Sequence, residues 1–167
     1  MDQAVSEVMQ PITYPVSKGL RAGAVGGFVG SIVLGITGEL GAISMNQELF
    51  YTTIAKKLGF GDFSVLGGWT LHFLVGIIAG SLFIGATAAI RRFMLTTTKK
   101  AVWVGVLGGI VVWIVVYVPV TGILIPNDLT DATFATGTVV LHVLYGVVTA
   151  FVSLSLLRRV VKTKPAA

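Results

Sequence analysis

The run FSVLGGWTLHFLVGIIAGSLFIGATAAI, residues 63–90, contains no Asp, Glu, Lys or Arg, and His72 is its one side chain that titrates near neutrality. A helix rises 1.5 Å per residue and the hydrocarbon core of a bilayer is about 30 Å thick, so about 20 such residues cross it once. Three more runs lack charge: Ala22–Gly38, Ala101–Asn127 and Ala132–Leu157. The first is short, but Lys18 and Arg21 can snorkel to the interface, letting the helix begin near Ser17. The reading is an all-α, integral membrane four-helix bundle with helices over about 18–38, 66–90, 101–122 and 136–157. It is flanked by a cytoplasmic segment 1–17 and a basic cytoplasmic tail 158–167.

Composition supports this. Of 167 residues 54% are hydrophobic and 11% charged, with a mean hydropathy of +0.91. A soluble domain carries about 25% charged residues, so an ordinary soluble globule is excluded. The absence of cysteine removes disulfides, thiolate nucleophiles, iron–sulfur clusters and cysteine zinc sites.

The few charges set an orientation. Lys18, Arg21, Arg91, Arg92, Lys99, Lys100, Arg158, Arg159, Lys162 and Lys164 fall on one side, against Lys56 and Lys57 on the other. Ten against two places both termini in the cytoplasm of a multi-pass plasma-membrane protein by the positive-inside rule. The net charge of +5 then reads as contact with anionic lipid headgroups. The basic clusters lack aromatic interleaving and any known binding motif, so no nucleic-acid partner is expected. Asp2, Glu7, Pro11 and Pro15 leave no apolar run for a secretory signal in the first segment.

Between the first two spans, Ser44 and Gln47 have capping-box spacing, Phe50, Ile54 and Leu58 repeat every four residues, and Lys56, Lys57 and Gly59 form a stop signal. This predicts a short amphipathic helix on the outer membrane surface, separate from the first span.

The chain also repeats itself. With Lys18 over Lys100, Gly23 meets Gly105, Gly26-Gly27 meet Gly108-Gly109, and Ile32-Val33 meet Ile114-Val115; with Leu71 over Leu141, Leu-His-Phe-Leu-Val-Gly meets Leu-His-Val-Leu-Tyr-Gly. The only two histidines coincide. The reading is a duplicated two-helix hairpin, with a pseudo-twofold along the membrane normal because each unit has two spans. Gly23 and Gly27, Gly26 and Gly30, Gly76 and Gly80, and Gly105 and Gly109 are each four apart; with Gly146 they are expected to pack helices.

Gly-Trp-Thr-Leu-His-Phe-Leu-Val-Gly at 68–76, the Gly-Gly-x-x-x-Trp run from Gly108 to Trp113 with Pro119 after it, and Leu-His-Val-Leu-Tyr-Gly at 141–146 form a recurring order. It resembles the uncharacterised small prokaryotic membrane proteins of the YagU-like type, in which His-x-x-x-Gly helices alternate with glycine-rich ones. The resemblance covers most of residues 18–157 and implies a four-helix membrane fold with no assigned reaction.

Candidate chemistry is sparse. His72 with Gly76 and His142 with Gly146 are i,i+4 pairs near the outer ends of their helices. Each imidazole is expected to satisfy itself on a carbonyl or hydroxyl of a neighbouring helix, with no cofactor. The alternative is a shared centre in which His72 and His142 ligate a haem or copper(I). Glu39 is expected to be interfacial and solvated, with a proton or cation site as its alternative. Trp69, Trp103 and Tyr117 read as interface anchors, Trp113 as a packing residue, and Pro119 as a kink or stop. Asp128 and Asp131 could hold a hard cation but are too few to argue one. No nucleophile–base pair, phosphate loop or zinc motif is present, so the chain is not expected to be an enzyme. The leading expectation is a structural or accessory subunit of a larger membrane complex, for instance a redox or monooxygenase assembly, with membrane subunits and lipids as partners. A haem or copper protein comes next, then a small-solute channel or transporter with Glu39 in its path.

Overall fold

A computed structural model describes residues 13–162, so most of the segment 1–17 and the end of the tail 158–167 lie outside the described residues. Four helices are long and apolar enough to cross a membrane, and the described chain is helical with no strand. The elements are α1 (Val16–Ser44), α2 (Phe50–Lys57), α3 (Ser64–Ala89), α4 (Thr98–Val112), a π-helical turn (Trp113–Tyr117), α5 (Val118–Leu124), α6 (Asn127–Thr130) and α7 (Ala132–Lys162).

The spans outrun the charge-free runs at several ends. α1 continues through Glu39 to Ser44 because nothing breaks it before Asn46, which adopts φ 54°. Asn46 and Gln47 then turn their N–H groups back to the carbonyls of Ile43 and Ala42, at 3.0 and 2.9 Å, closing the helix as a Schellman cap. α2 ends the same way: Gly59, at φ +86°, bonds Lys56 while Phe60 bonds Ala55. The expected stop at Lys56, Lys57 and Gly59 is therefore formed. The expected capping box is not. Ser44 Oγ donates to the carbonyl of Gly41 within α1, and α2 starts only at Phe50.

Pro119 does not end its span; it follows directly on an irregular turn. Its ring has no N–H and crowds the carbonyl of the preceding turn; the wider turn at Trp113–Tyr117 lies where that crowding falls, and α5 resumes with Pro119 in its first turn.

Packing follows the small residues. On one stripe of α1, Gly19, Gly23 and Gly27 lie against Ile84, Gly80 and Gly76 of α3; on the next, Gly26 and Gly30 lie against Ser153, Thr149 and Tyr145 of α7. Ser153 Oγ donates to the carbonyl of Ala22 at 3.0 Å and Tyr145 Oη to that of Gly76 at 2.7 Å. On α4, Gly105 lies against Gly146 and Val147, and Gly109 against His142 and Val143. Any Cβ at these positions meets a backbone atom or a packed side chain, so glycine sets how closely the helices approach.

The resulting order across the molecule is α3, α1, α7, α4. α3 and α4 do not pack along their lengths; the ring of Phe83, fitted into the notch at Gly108, bridges them. A twofold exchanging the hairpins would require an α3–α4 contact as extensive as that of α1 with α7. The expected pseudo-twofold bundle is thus not the packing adopted, because the two small-residue stripes of α1 place α3 and α7 on either side of it.

One end is closed by Ala22, Ile84, Leu95, Ala101, Leu154 and their neighbours. Tyr14 seals it, donating to Thr87 Oγ1 at 3.2 Å and accepting from the Leu95 N–H at 3.0 Å. At the other end the spans diverge.

Candidate functional site

At this end the helices line an open cavity of about 490 Å³. Leu34 and Gly38 of α1, His72 of α3, Tyr117 and Val120 before and within α5, and Leu141 and His142 of α7 form its walls, with Phe50, Tyr51 and Ile54 of α2 across it. Most of this surface is apolar. The polar groups are two imidazoles, two phenols and threonine hydroxyls.

His72 Nε2 lies 2.8 Å from the Ser31 carbonyl of α1, and His142 Nδ1 lies 2.7 Å from the Thr138 carbonyl one turn earlier in α7. A carbonyl oxygen only accepts, so each bonded nitrogen carries the proton, and in a neutral ring the other holds a lone pair. His72 Nδ1 and His142 Nε2 have no hydrogen-bond partner among the described residues, and neither is sealed within protein. Both rings line the same cavity. His72 thus meets a carbonyl of a neighbouring helix as expected, His142 meets one of its own helix instead, and both rings border one space.

The anchors differ for a local reason. Gly35 leaves room for the His72 ring beside α1: a Cβ there would sit 3.0 Å from Nε2. In the second hairpin the aligned position to Ser31 is Trp113, in the π-helical turn, and its indole donates to Thr138 Oγ1 at 3.1 Å. His142 turns to its own helix instead.

Each histidine has an aromatic neighbour. Tyr51 lies over His72 with ring centroids 4.0 Å apart and a 30° interplanar angle, and Tyr117 meets His142 edge-on at 5.2 Å. Phe50 stacks on Tyr117 at 5.8 Å. Tyr117 was expected as an interface anchor but is 5% exposed, because Phe50, Trp113 and His142 surround it. Its hydroxyl and that of Thr121 are buried with no hydrogen bond of normal geometry. Phe50 and Tyr51 went unnoticed as site residues in the sequence; the one signal was two adjacent aromatics at the start of an amphipathic turn.

Glu39 overturns its expectation of solvation. It is 7% exposed, and Oε1 accepts from the Tyr51 N–H at 3.2 Å. The first turn of a helix leaves N–H groups without internal partners, and a carboxyl group there compensates them. No side chain caps α2 locally, so Glu39, reaching from α1, does so and holds α2 over the cavity. Its Oε2 is buried without a partner among the described residues. Tyr51, which lies in α2 outside the spans, has its phenol pushed well above the ordinary value of 10.0, first by burial and then by the charges of Glu39 and Tyr117.

Glu48, Asp128 and Asp131 share a second crevice of about 240 Å³. Asp131 Oδ1 accepts from the N–H groups of Thr133 and Phe134 at 2.8 and 3.0 Å and so caps α7. Burial, and secondarily the charge of Asp131, raises the Asp128 carboxyl above its usual range. Among the described residues, no group of three or more His, Asp or Glu side chains is gathered closely enough to hold a metal ion.

Compared with protein-family models, curated proteins and solved structures, the chain matches none of them. Functional argument therefore rests on the cavity and the packing surfaces.

Proposed function

We propose that the chain is a structural or accessory subunit of a larger complex in the plasma membrane, a redox or monooxygenase assembly being the partner class, and that it does not itself catalyse a reaction. The observation that carries this reading is the apolar flank that α4 leaves uncovered. Among the described spans α4 packs along α7 alone, and Trp103 and Val111 of α4 and Val115 of the turn that follows are 66, 57 and 65% exposed. Apolar area facing lipid gains nothing from burial against another apolar helix, so association rests on shape, small residues and aromatic packing. That uncovered apolar flank is suited to receive a further helix.

Both termini are assigned to the cytoplasm, with α2 and the Asp128–Asp131 region outside, on the distribution of Lys and Arg. The two hairpins are assigned to an ancestral duplication on their aligned glycines and histidines, after which the packing diverged. The likeness to the YagU-like type is compatible with this and adds no reaction.

Purification in mild detergent tests the proposal. Stoichiometric co-purification of other membrane subunits is the expected result; a monomer or homodimer without partners overturns it. A second reading is favoured by one specific feature, two imidazoles lining one cavity, each with a ring nitrogen that has no partner among the described residues: His72 and His142 as ligands of a haem or of copper. An absorbance spectrum and metal analysis of the natively purified protein decide that reading.

A further inference from the structure

We propose that the cavity beneath α2 is a binding site for a neutral, membrane-soluble phenol of the hydroquinone class, held by hydrogen bonds from its hydroxyls to His72 Nδ1 and His142 Nε2. The inference holds whether the chain works alone or within a complex.

Three observations define the occupant. The first is direction of hydrogen bonding. Because Ser31 and Thr138 accept from one nitrogen of each ring, the nitrogens left over, His72 Nδ1 and His142 Nε2, can meet a ligand in the cavity only as acceptors while the rings are neutral and keep those bonds. A ligand must therefore supply donors. The second is shape and surface. The cavity measures about 490 Å³, in the range of small-molecule sites, and a metal ion between two imidazoles would leave most of that space unfilled. Tyr51, Tyr117, Phe50 and Phe134 line it with the two imidazoles, an arrangement that favours an aromatic ring by edge and face contacts. The third is charge. Among the described residues no Lys or Arg lines the cavity, so the acid groups of a haem or of an anionic lipid would find no cation among them. A neutral aromatic ring with hydroxyl groups satisfies all three.

Donor selectivity is the distinctive consequence. A hydroquinone presents O–H groups to the two nitrogens, whereas the corresponding quinone presents carbonyl oxygens, placing acceptor against acceptor and leaving buried lone pairs unpaired. No electron transfer is involved.

The test uses the full chain in lipid nanodiscs under anaerobic conditions. The probes are a decyl-substituted hydroquinone, its matching quinone, and a decylbenzene without oxygen to measure simple partition. Affinity is read by titration and ring contact by the histidine ¹⁵N resonances. The expected result is hydroquinone binding at least about tenfold tighter than either other probe, with the lone-pair nitrogen signals shifting on binding. His72→Leu and His142→Leu each lose that preference by a similar factor. Equal affinity for the three probes, unmoved histidine signals, or a preference for the quinone overturns the proposal. Should a histidine variant fail to fold, the probe comparison on the unaltered chain still decides it. Haem or copper filling the site in the native preparation also overturns it.

Discussion

Glu39 shows how a single carboxyl group can be misjudged from its neighbours in sequence. It stands next to Gly38 at the edge of a charge-free run, where an acid ordinarily meets water. Its role comes from the first-turn amide of a helix that begins eleven positions later, whose own flanking residues supply no side-chain cap. Glu39→Ala should loosen α2 by about 0.5–2 kcal/mol, the range for loss of a helix N-cap, while Glu39→Gln, which keeps an acceptor oxygen, should cost less. Amide exchange at residues 50–53 measures this, and unchanged protection in the alanine variant would show that α2 is held by packing alone. The phenol of Tyr51 adds a pH dependence of its own. Its phenol is raised in the folded state, so the unfolded chain releases this proton first; the stability it contributes is complete below about pH 10 and falls as pH rises toward the folded value. Tyrosinate absorbance of the native chain minus that of Tyr51→Phe should therefore be flat across pH 10. A normal ionisation step there would contradict the burial of that ring.

Among the elements, α1 governs the arrangement because its two adjacent glycine stripes place α3 on one side and α7 on the other. A Cβ at Gly27 would meet the Gly76 carbonyl and the Gly80 Cα, both backbone, whereas one at Gly137 meets nothing within 4 Å. Gly27→Ala should thus cost about 1–3 kcal/mol through overpacking, and Gly137→Ala should be neutral or slightly stabilising through helix propensity. Thermal unfolding in detergent compares them directly; equal midpoints would mean that α1 and α3 are free to separate. α2 is also informative at this level. Its expected separateness from α1 is realised, and its start is displaced from Ser44 because the αL residue at Asn46 completes a cap on the preceding helix before a new one can begin.

For the molecule, membrane orientation is the most consequential expectation. A reporter inserted near Lys99 and another fused after Ala167 should both read cytoplasm, and one near Asp62 should read outside. If the Asp62 reporter instead reads cytoplasm, α2 and its cavity open to the interior, and the Lys and Arg bias has been outweighed by other determinants of insertion.

What could be read in advance were the properties carried by composition and spacing. Four charge-free runs impose four helices because lipid offers no partners to backbone N–H and C=O groups, and four-residue glycine spacing marks the contact stripes because helical neighbours recur at that interval. Which stripe meets which helix was not legible, since glycines on one face look alike and the sequence repeat pointed to a twofold that the packing does not follow. The partners of Glu39, the shared cavity of His72 and His142, and the burial of Tyr117 were equally hidden. Each depends on side chains from helices far apart in the chain, and such contacts exist only once close approach at glycine has set the distance and register between the helices.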